Sequence, residues 1–265
     1  MRTNKYYINN VMDNINDEKT AYWLGFLFAD GFVDKNRNRV RLDLNIDDEA
    51  HIDKFIKFLD TNYKKHYTKI YNTVGIQIDN GKLKNNLIKN GCIPLKSKID
   101  TSIPEHILNN EKLFWNFVRG IFDGDGCIFK SRNNYGIFFM GTNNIMEQIL
   151  NYNSKLKELN KYKEYKSENC YYLRTEKYDL VKYIFDNMYY DNTLPYLERK
   201  YNLFINYITD KQNRIPKYIQ EYNIIYDKYM KLINENPNIT KKDCYEKLNI
   251  SKSKFYRILK LKNNL

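Results

Sequence analysis

The chain has 265 residues, with 44 Lys and Arg against 32 Asp and Glu and a formal charge of +12. A hydrophobic content of 42% with 15% aromatics supplies a substantial core and excludes a disordered chain. No apolar run approaches the roughly 18–20 residues that cross a bilayer, the N-terminal MRTNKYYINN lacks a signal core, and the four scattered Cys and three scattered His complete no disulfide framework or zinc set.

In chain order, residues 17–100 read as helix, hairpin, helix, hairpin, helix and a lysine-bearing loop, and residues 111–205 repeat that order. The first helix ends Leu24-Gly25-Phe26-Leu27-Phe28-Ala29-Asp30-Gly31. A short strand, Phe32-Val33, a turn over 34–38 and a second strand follow. In that second strand Val40, Leu42, Leu44 and Ile46 point one way, and Arg39, Arg41, Asp43 and Asn45 the other. Residues 48–60 carry Ile52, Phe55, Ile56 and Leu59 at helical spacing. A second hairpin over 67–78 is expected to turn Ile70, Val74, Ile76 and Ile78 inward and Lys69, Tyr71, Thr73 and Gln77 outward. The second copy opens with Arg119-Gly120-Ile121-Phe122-Asp123-Gly124-Asp125-Gly126, its second acid 95 positions after Asp30. Strands near 127–130 and 135–141, a helix near 143–158, strands near 161–166 and 170–175 and a helix near 177–188 complete it, with poorer alternation.

Beyond this, residues 211–265 hold 13 Lys and Arg against 5 Asp and Glu, two-thirds of the excess charge. Helices are expected over 217–235, 240–248 and 251–262, with Thr240 and Ser251 as N-caps and Pro237 as a separator. A basic excess on a small helical segment favours a polyanionic partner. The spacing over 239–259 is similar to a helix-turn-helix, with Ile239, Leu248, Ile250, Phe255, Ile258 and Leu259 inside and Lys252, Ser253, Lys254, Tyr256 and Arg257 facing DNA. The fold class expected is α+β: two pseudo-symmetric αββαββα halves, 1–105 and 106–210, whose open faces, if aligned, form one long concave polar surface that a duplex would fit, then a small all-α domain, 211–265.

Chemistry concentrates at the two repeat helices. Gly25 with Ala29, and Gly120 with Gly124, recur at i and i+4, a spacing that lets helix backbones approach closely. Asp30 and Asp125 then sit at helix C-termini, the wrong end of the macrodipole, and side-by-side helices bring their like charges together. A divalent cation resolves both conflicts, and oxygen ligands favour Mg²⁺, with Mn²⁺ or Ca²⁺ fitting the same sites. An EF-hand reading of Asp123-Gly124-Asp125 fails, because the sixth loop position is Ile128 and the twelfth Asn134.

Both segments resemble the signature helix of the LAGLIDADG homing endonucleases in their single-chain, two-motif form, over residues 17–205. The resemblance implies signature helices at the interface of two halves, a saddle for double-stranded DNA, a monomer, and metal-dependent cleavage of both strands, as in intron homing. It matches the family's metal-binding acid to Asp30 and Asp125 and assigns backbone carbonyls of Ala29 and Gly124 to the metal. The acid often found two places earlier is kept as Asp123 but replaced by Phe28 in the first copy. Family members place a lysine near each centre. Ile93-Pro94-Leu95-Lys96-Ser97 supplies Lys96, with Lys98 a close competitor, and Leu194-Pro195-Tyr196-Leu197-Glu198-Arg199-Lys200 supplies Lys200. An ammonium there stabilises charge developing on a scissile phosphate. Asp48 and Asn143 are candidates to order water near the metals. On the saddle, DNA contacts are expected from Arg37, Arg39, Arg41, Asn45, Lys69, Tyr71, Gln77, Lys130, Arg132, Lys163 and Arg174.

The other function class is a non-cleaving binder with the same fold, an RNA-splicing cofactor or a transcription regulator. An excised intein is disfavoured, since Met1 and Asn264-Leu265 offer no splicing residues. Bacterial or phage-infected cytoplasm, or an organelle, is the expected compartment.

Overall fold

The computed structural model describes residues 6–131, 134–165, 169–214 and 217–263. It divides into two compact units, Met1–Ile205 and Asn206–Leu265. In the first unit the order is α1 (Glu18–Ala29), β1 (Gly31–Val33), β2 (Arg39–Asn45), α2 (Glu49–Leu59), β3 (Lys65–Thr68), β4 (Thr73–Asp79) and α3 (Gly81–Lys89). After the single turn α4 (Glu105–Leu108), the order recurs as α5 (Glu111–Asp125), β5 (Cys127–Ser131), β6 (Asn134–Gly141), α6 (Asn143–Asn151), β7 (Asn160–Lys163), β8 (Tyr171–Thr175) and α7 (Tyr178–Met188). Helix α8 (Glu198–Arg214) follows.

Each half is therefore αββαββα, with a four-stranded antiparallel sheet ordered β1-β2-β4-β3 in the first and β5-β6-β8-β7 in the second. The α+β architecture of two repeated halves is as the sequence pattern implies. Among the described residues no helix is long and apolar enough to cross a membrane.

The repeat helices α1 and α5 are buried on nearly every side, from Thr20 to Phe28 and from Leu113 to Asp123. Side-chain caps start both. Asp17 accepts from the amides of Lys19 and Thr20, and Asn110 from that of Leu113. Val40, Leu42 and Leu44 of β2 and Val74, Ile76 and Ile78 of β4 are buried, and α2 contributes Ile52, Phe55 and Leu59 to the core. In the second half Ile137, Phe139 and Leu173 are buried alongside Ile145, Met146 and Ile149 of α6.

Three expectations change. The hairpin over 67–78 is interrupted by a 3₁₀ turn, Lys69–Tyr71, closed by Asn72 in the left-handed region at φ 50°. That turn shifts the side-chain phase, and Ile70, expected inside, is 88% exposed. The helix near 143–158 stops at Asn151, and a separate 3₁₀ turn, Leu156–Glu158, leads into β7.

The second unit contains α9 (Lys217–Glu235), α10 (Lys241–Lys247) and α11 (Lys252–Asn263). A reciprocal cap between Thr240 and Asp243 starts α10, and Ser251 Oγ accepts from the Lys254 amide at the head of α11. Cys244, Phe255 and Ile258 are buried, while Ile239, Leu248, Ile250 and Leu259 are half-buried.

Candidate active site

The two acids meet because α1 and α5 cross with almost no side chain between them. A Cβ on Gly25 would lie 2.1 Å from the Phe117 carbonyl oxygen, and one on Gly120 would lie 2.2 Å from that of Tyr22. Toward the C-termini, a Cβ on Gly124 would lie 2.3 Å from Ala29 Cβ and 3.3 Å from Asp30 Oδ2. Asp30 caps α1, and Asp125 is the last residue of α5.

Neither carboxylate accepts a hydrogen bond from any described residue. Loss of hydration, then the charge of Asp125, pushes Asp30 up to about 6, with Asp48 adding to the rise and Lys200 and Lys96 opposing it. Burial likewise raises Asp125, against the pull of Lys96 and Lys200. Lys96 Nζ donates to the Gly31 carbonyl. Its loop turns through Leu95 at φ 59°, a region costing a residue with a Cβ roughly 1–2 kcal/mol. Lys200 is 5% exposed and donates to the carbonyls of Phe122 at 2.7 Å and Gly124 at 2.8 Å. Burial lowers its pKa, and Asp123, Asp30 and Asp125 counter that. A cavity of about 300 Å³ opens beside Asp125 and is lined by Lys96, Ser97, Thr142, Asn169 and Cys170 among others.

Two adjacent carboxylates, without a donor among the described residues and at two helix C-termini, suit a hard divalent cation. The described residues contain no group of three or more His, Cys, Asp or Glu arranged for a metal. An ion held by Asp30 and Asp125 would complete its shell with carbonyl oxygens, water or phosphate, as Mg²⁺ commonly does. The Gly124 carbonyl already accepts from Lys200, so an ion there would share it.

Asp123 lies apart from this pair. It is 1% exposed and accepts from Tyr22 Oη at 2.8 Å, Tyr189 Oη at 3.0 Å and the Leu197 amide at 2.8 Å. Tyr22 Oη also lies 2.9 Å from Nε2 of His51, whose pKa burial pushes down to about 3. Arg119, fully buried one turn before Asp123, stacks against the rings of Tyr22 and Tyr189. Sequence reasoning missed this cluster; the signal available was Arg119 and Asp123 at i and i+4 in the stretch Phe117–Asp123, whose other residues are apolar or glycine. Asp48, one of the charges that raise Asp30, is held by Arg199 at 3.0 Å, and Asn143 accepts from Lys161 at 2.6 Å.

The expected contact residues divide by face. In the first sheet, Arg39, Arg41, Asn45 and Gln77 share the open face with Phe32 and His66, as the alternation implies. That face is less cationic than expected, because Arg39 pairs with Asp79 at 2.7 Å and Arg41 with Asp43 at 2.6 Å. Arg37 is exposed in the β1–β2 turn, and Lys69 and Tyr71 sit on the 3₁₀ turn at the far end. In the second sheet, Arg174 is on the open face, over the Phe129 ring at 4.2 Å and paired with Glu176 at 2.6 Å.

Lys130 and Lys163 need correction. Their partners Tyr135 and Tyr171 lie in phase with buried Ile137 and Leu173, so both lysines take the helix side of the sheet. The open face instead carries Phe129, Phe138, Tyr162 and Tyr172. Arg132 lies outside the described residues. In the second unit Lys252, Ser253, Tyr256 and Arg257 are exposed, but Lys254 turns to α9, where it meets Glu221 at 2.7 Å.

A search of the curated proteins finds no match. Among solved structures, a lysine-to-alanine variant of I-SmaMI superposes with a TM-score of 0.52 at 11% identity, covering 76% of this chain and 95% of that one. Full-length DUF199/WhiA from Thermatoga maritima aligns at 15% identity and a TM-score of 0.44, covering 96% of this chain and 97% of that one. The I-LtrWI LAGLIDADG homing endonuclease bound to target DNA aligns at 12% identity and a TM-score of 0.48, covering 75% and 92%. The I-SmaMI likeness shows a shared fold. The WhiA LAGLIDADG-like domain model matches residues 19–75 and 114–200, more than half of the sequence, with one stretch in each half. The chain belongs to the WhiA LAGLIDADG-like domain family.

Proposed function

We propose that the protein is a divalent-cation-dependent endonuclease acting on double-stranded DNA at a long site, in the manner of a homing endonuclease. The observation that carries this reading is the meeting of Asp30 and Asp125 at the helix crossing, with no hydrogen-bond donor to either carboxylate among the described residues and with Lys96 and Lys200 flanking them.

Asp30, Asp125 and the carbonyls of Ala29 and Gly124 would hold Mg²⁺, with Mn²⁺ or Ca²⁺ suiting the same oxygens. The bound ion supplies a more acidic water and neutralises charge at the phosphate. Lys96 and Lys200 hold their ammonium groups on backbone carbonyls beside the acids, placed to oppose charge building on the phosphate during displacement. Arg39, Arg41, Asn45 and Gln77 on one sheet, and Arg174 on the other, are the side chains offered to a duplex. Both halves come from one chain, which suits action as a monomer.

A second reading, a non-cleaving nucleic-acid binder such as a splicing cofactor or transcription regulator, is favoured by the WhiA-type family match and by the Lys200 ammonium on Gly124. Incubation with duplexes in Mg²⁺, including the sequence flanking the gene, separates the two. Cleavage is expected, with the rate reduced about 100-fold or more in Asp30→Asn/Asp125→Asn, since metal charge stabilisation is worth several kcal/mol. Cleavage that survives the double substitution rejects the metal site, and binding without cleavage favours the second reading.

The basic second unit is assigned a duplex contact through Lys252 and Arg257. Substituting both by Gln in the full chain is expected to weaken binding and flatten the plot of log affinity against log salt by about 1 for each phosphate no longer neutralised. An unchanged slope argues against a role for these two side chains at the phosphates.

A further inference from the structure

We infer that Asp123 is the positioning residue for Lys200, fixing the turn at Leu197 from which that lysine reaches the Gly124 carbonyl. The role at the active centre rests on the nuclease reading; the placement of the lysine does not.

Asp123 Oδ2 accepts from the Leu197 amide, and Leu197 is itself 3% exposed. The Leu197 carbonyl receives the amides of Lys200 and Tyr201, both at 3.1 Å, and so begins α8. Lys200 then returns to α5 and donates to the carbonyls of Phe122 and Gly124, on either side of Asp123. Carboxylate and ammonium thus clasp the two elements reciprocally. The carboxylate holds the start of α8 by its backbone, and the ammonium holds the last turn of α5 by its terminal carbonyls, where the helix dipole favours a cation.

Tyr22 donates to the same oxygen, Oδ2, and Tyr189 to Oδ1, so both carboxylate oxygens are held and the rotamer is fixed. The arrangement belongs to the second half alone. Phe28 stands at the corresponding position of the first, and Lys96 is delivered by a loop. If the Leu197 anchor slips, Lys200 loses both carbonyls, and an ammonium without acceptors leaves a buried site for water.

Lysine reactivity in the full chain tests this without requiring cleavage. Pulsed acetylation read by mass spectrometry is applied to wild type, Asp123→Asn and Tyr189→Phe. Lys84 is the internal control: it is 8% exposed and donates to the carbonyls of Lys35 and Arg37 in the first half.

Lys200 labelling is expected to rise about tenfold or more in Asp123→Asn, the ratio for losing one hydrogen bond to a charged group, and less in Tyr189→Phe, with Lys84 unchanged. On a cleavable duplex, Asp123→Asn should accumulate nicked product, because one of two unlike centres is disturbed. Lys200 remaining as protected as in wild type overturns the inference, and so does Lys84 becoming reactive in parallel, which marks general loosening. Selective release of Lys200 in a protein whose wild type cuts no duplex rejects the nuclease reading and leaves the clasp standing.

Discussion

Gly25→Ala and Gly120→Ala are each expected to destabilise the protein by about 3 kcal/mol or more, at the upper end of overpacking costs. The added methyl carbons would stand 2.1 Å from the Phe117 carbonyl oxygen and 2.2 Å from that of Tyr22. Those neighbours are backbone within two buried helices, so no side chain can turn away to make room. Relief requires α1 and α5 to separate, which opens the tightest helix packing of the first unit and moves Asp30 away from Asp125. For a unit of this size the penalty corresponds to a fall in melting temperature of roughly 6–12 °C.

Gly141→Ala serves as the comparison, because its Cβ would meet only the flexible end of Met146 at 3.0 Å. A change near 1 kcal/mol is expected there. Equal losses at Gly25, Gly120 and Gly141 would mean that the helix crossing is looser than drawn. The gradient between them is the measurement, made by thermal or urea unfolding of the full chain.

The sequence made the helix crossing readable because two glycine-bearing helices end in Asp-Gly at related positions, and a repeated pattern is far more informative than a single turn. The first sheet was readable for a similar reason. Its open face is polar, so Val40, Leu42 and Leu44 stand out against Arg39, Arg41 and Asp43. The second sheet hid its register, since Phe138, Met140 and Tyr172 make the open face apolar as well and the period of two disappears. With that period lost, nothing in the sequence shows that Lys130 and Lys163 share a face with buried Ile137 and Leu173.

The Asp123 cluster was hidden differently. Its donors Tyr189 and Leu197 lie 66 and 74 residues away, and only the fold brings them to α5. Cross-strand ion pairing was equally hidden. Arg39 has no acid beside it on its own strand, and only the β2–β4 register brings Asp79 opposite it.

In the absence of divalent ions, Asp30→Asn is expected to be more stable than wild type above pH 6, and it is expected not to gain stability when Mg²⁺ is added. The folded chain holds the Asp30 proton up to about 6, whereas an unfolded chain releases it near 3.9. The folded state therefore binds more protons between those values. Stability attributable to this group is full below about pH 4, declines as pH rises through the window, and stays lost above about 6. Asparagine carries no charge to confront Asp125 and shows no such decline.

Asp30 also reaches solvent, which screens part of the effect, so the direction is the test. With Mg²⁺ at about 100 times its dissociation constant at pH 7.5, wild type should gain about 2.7 kcal/mol and Asp30→Asn should not respond. Below pH 6 each ion bound must displace one proton from Asp30, and affinity should fall about tenfold per pH unit. Differential scanning fluorimetry from pH 4 to 8, with and without Mg²⁺, reads all three effects. A wild type indifferent to Mg²⁺ at pH 7.5, or an Asp30→Asn protein less stable than wild type at pH 8, would remove the like-charged carboxylate pair as the seat of metal binding.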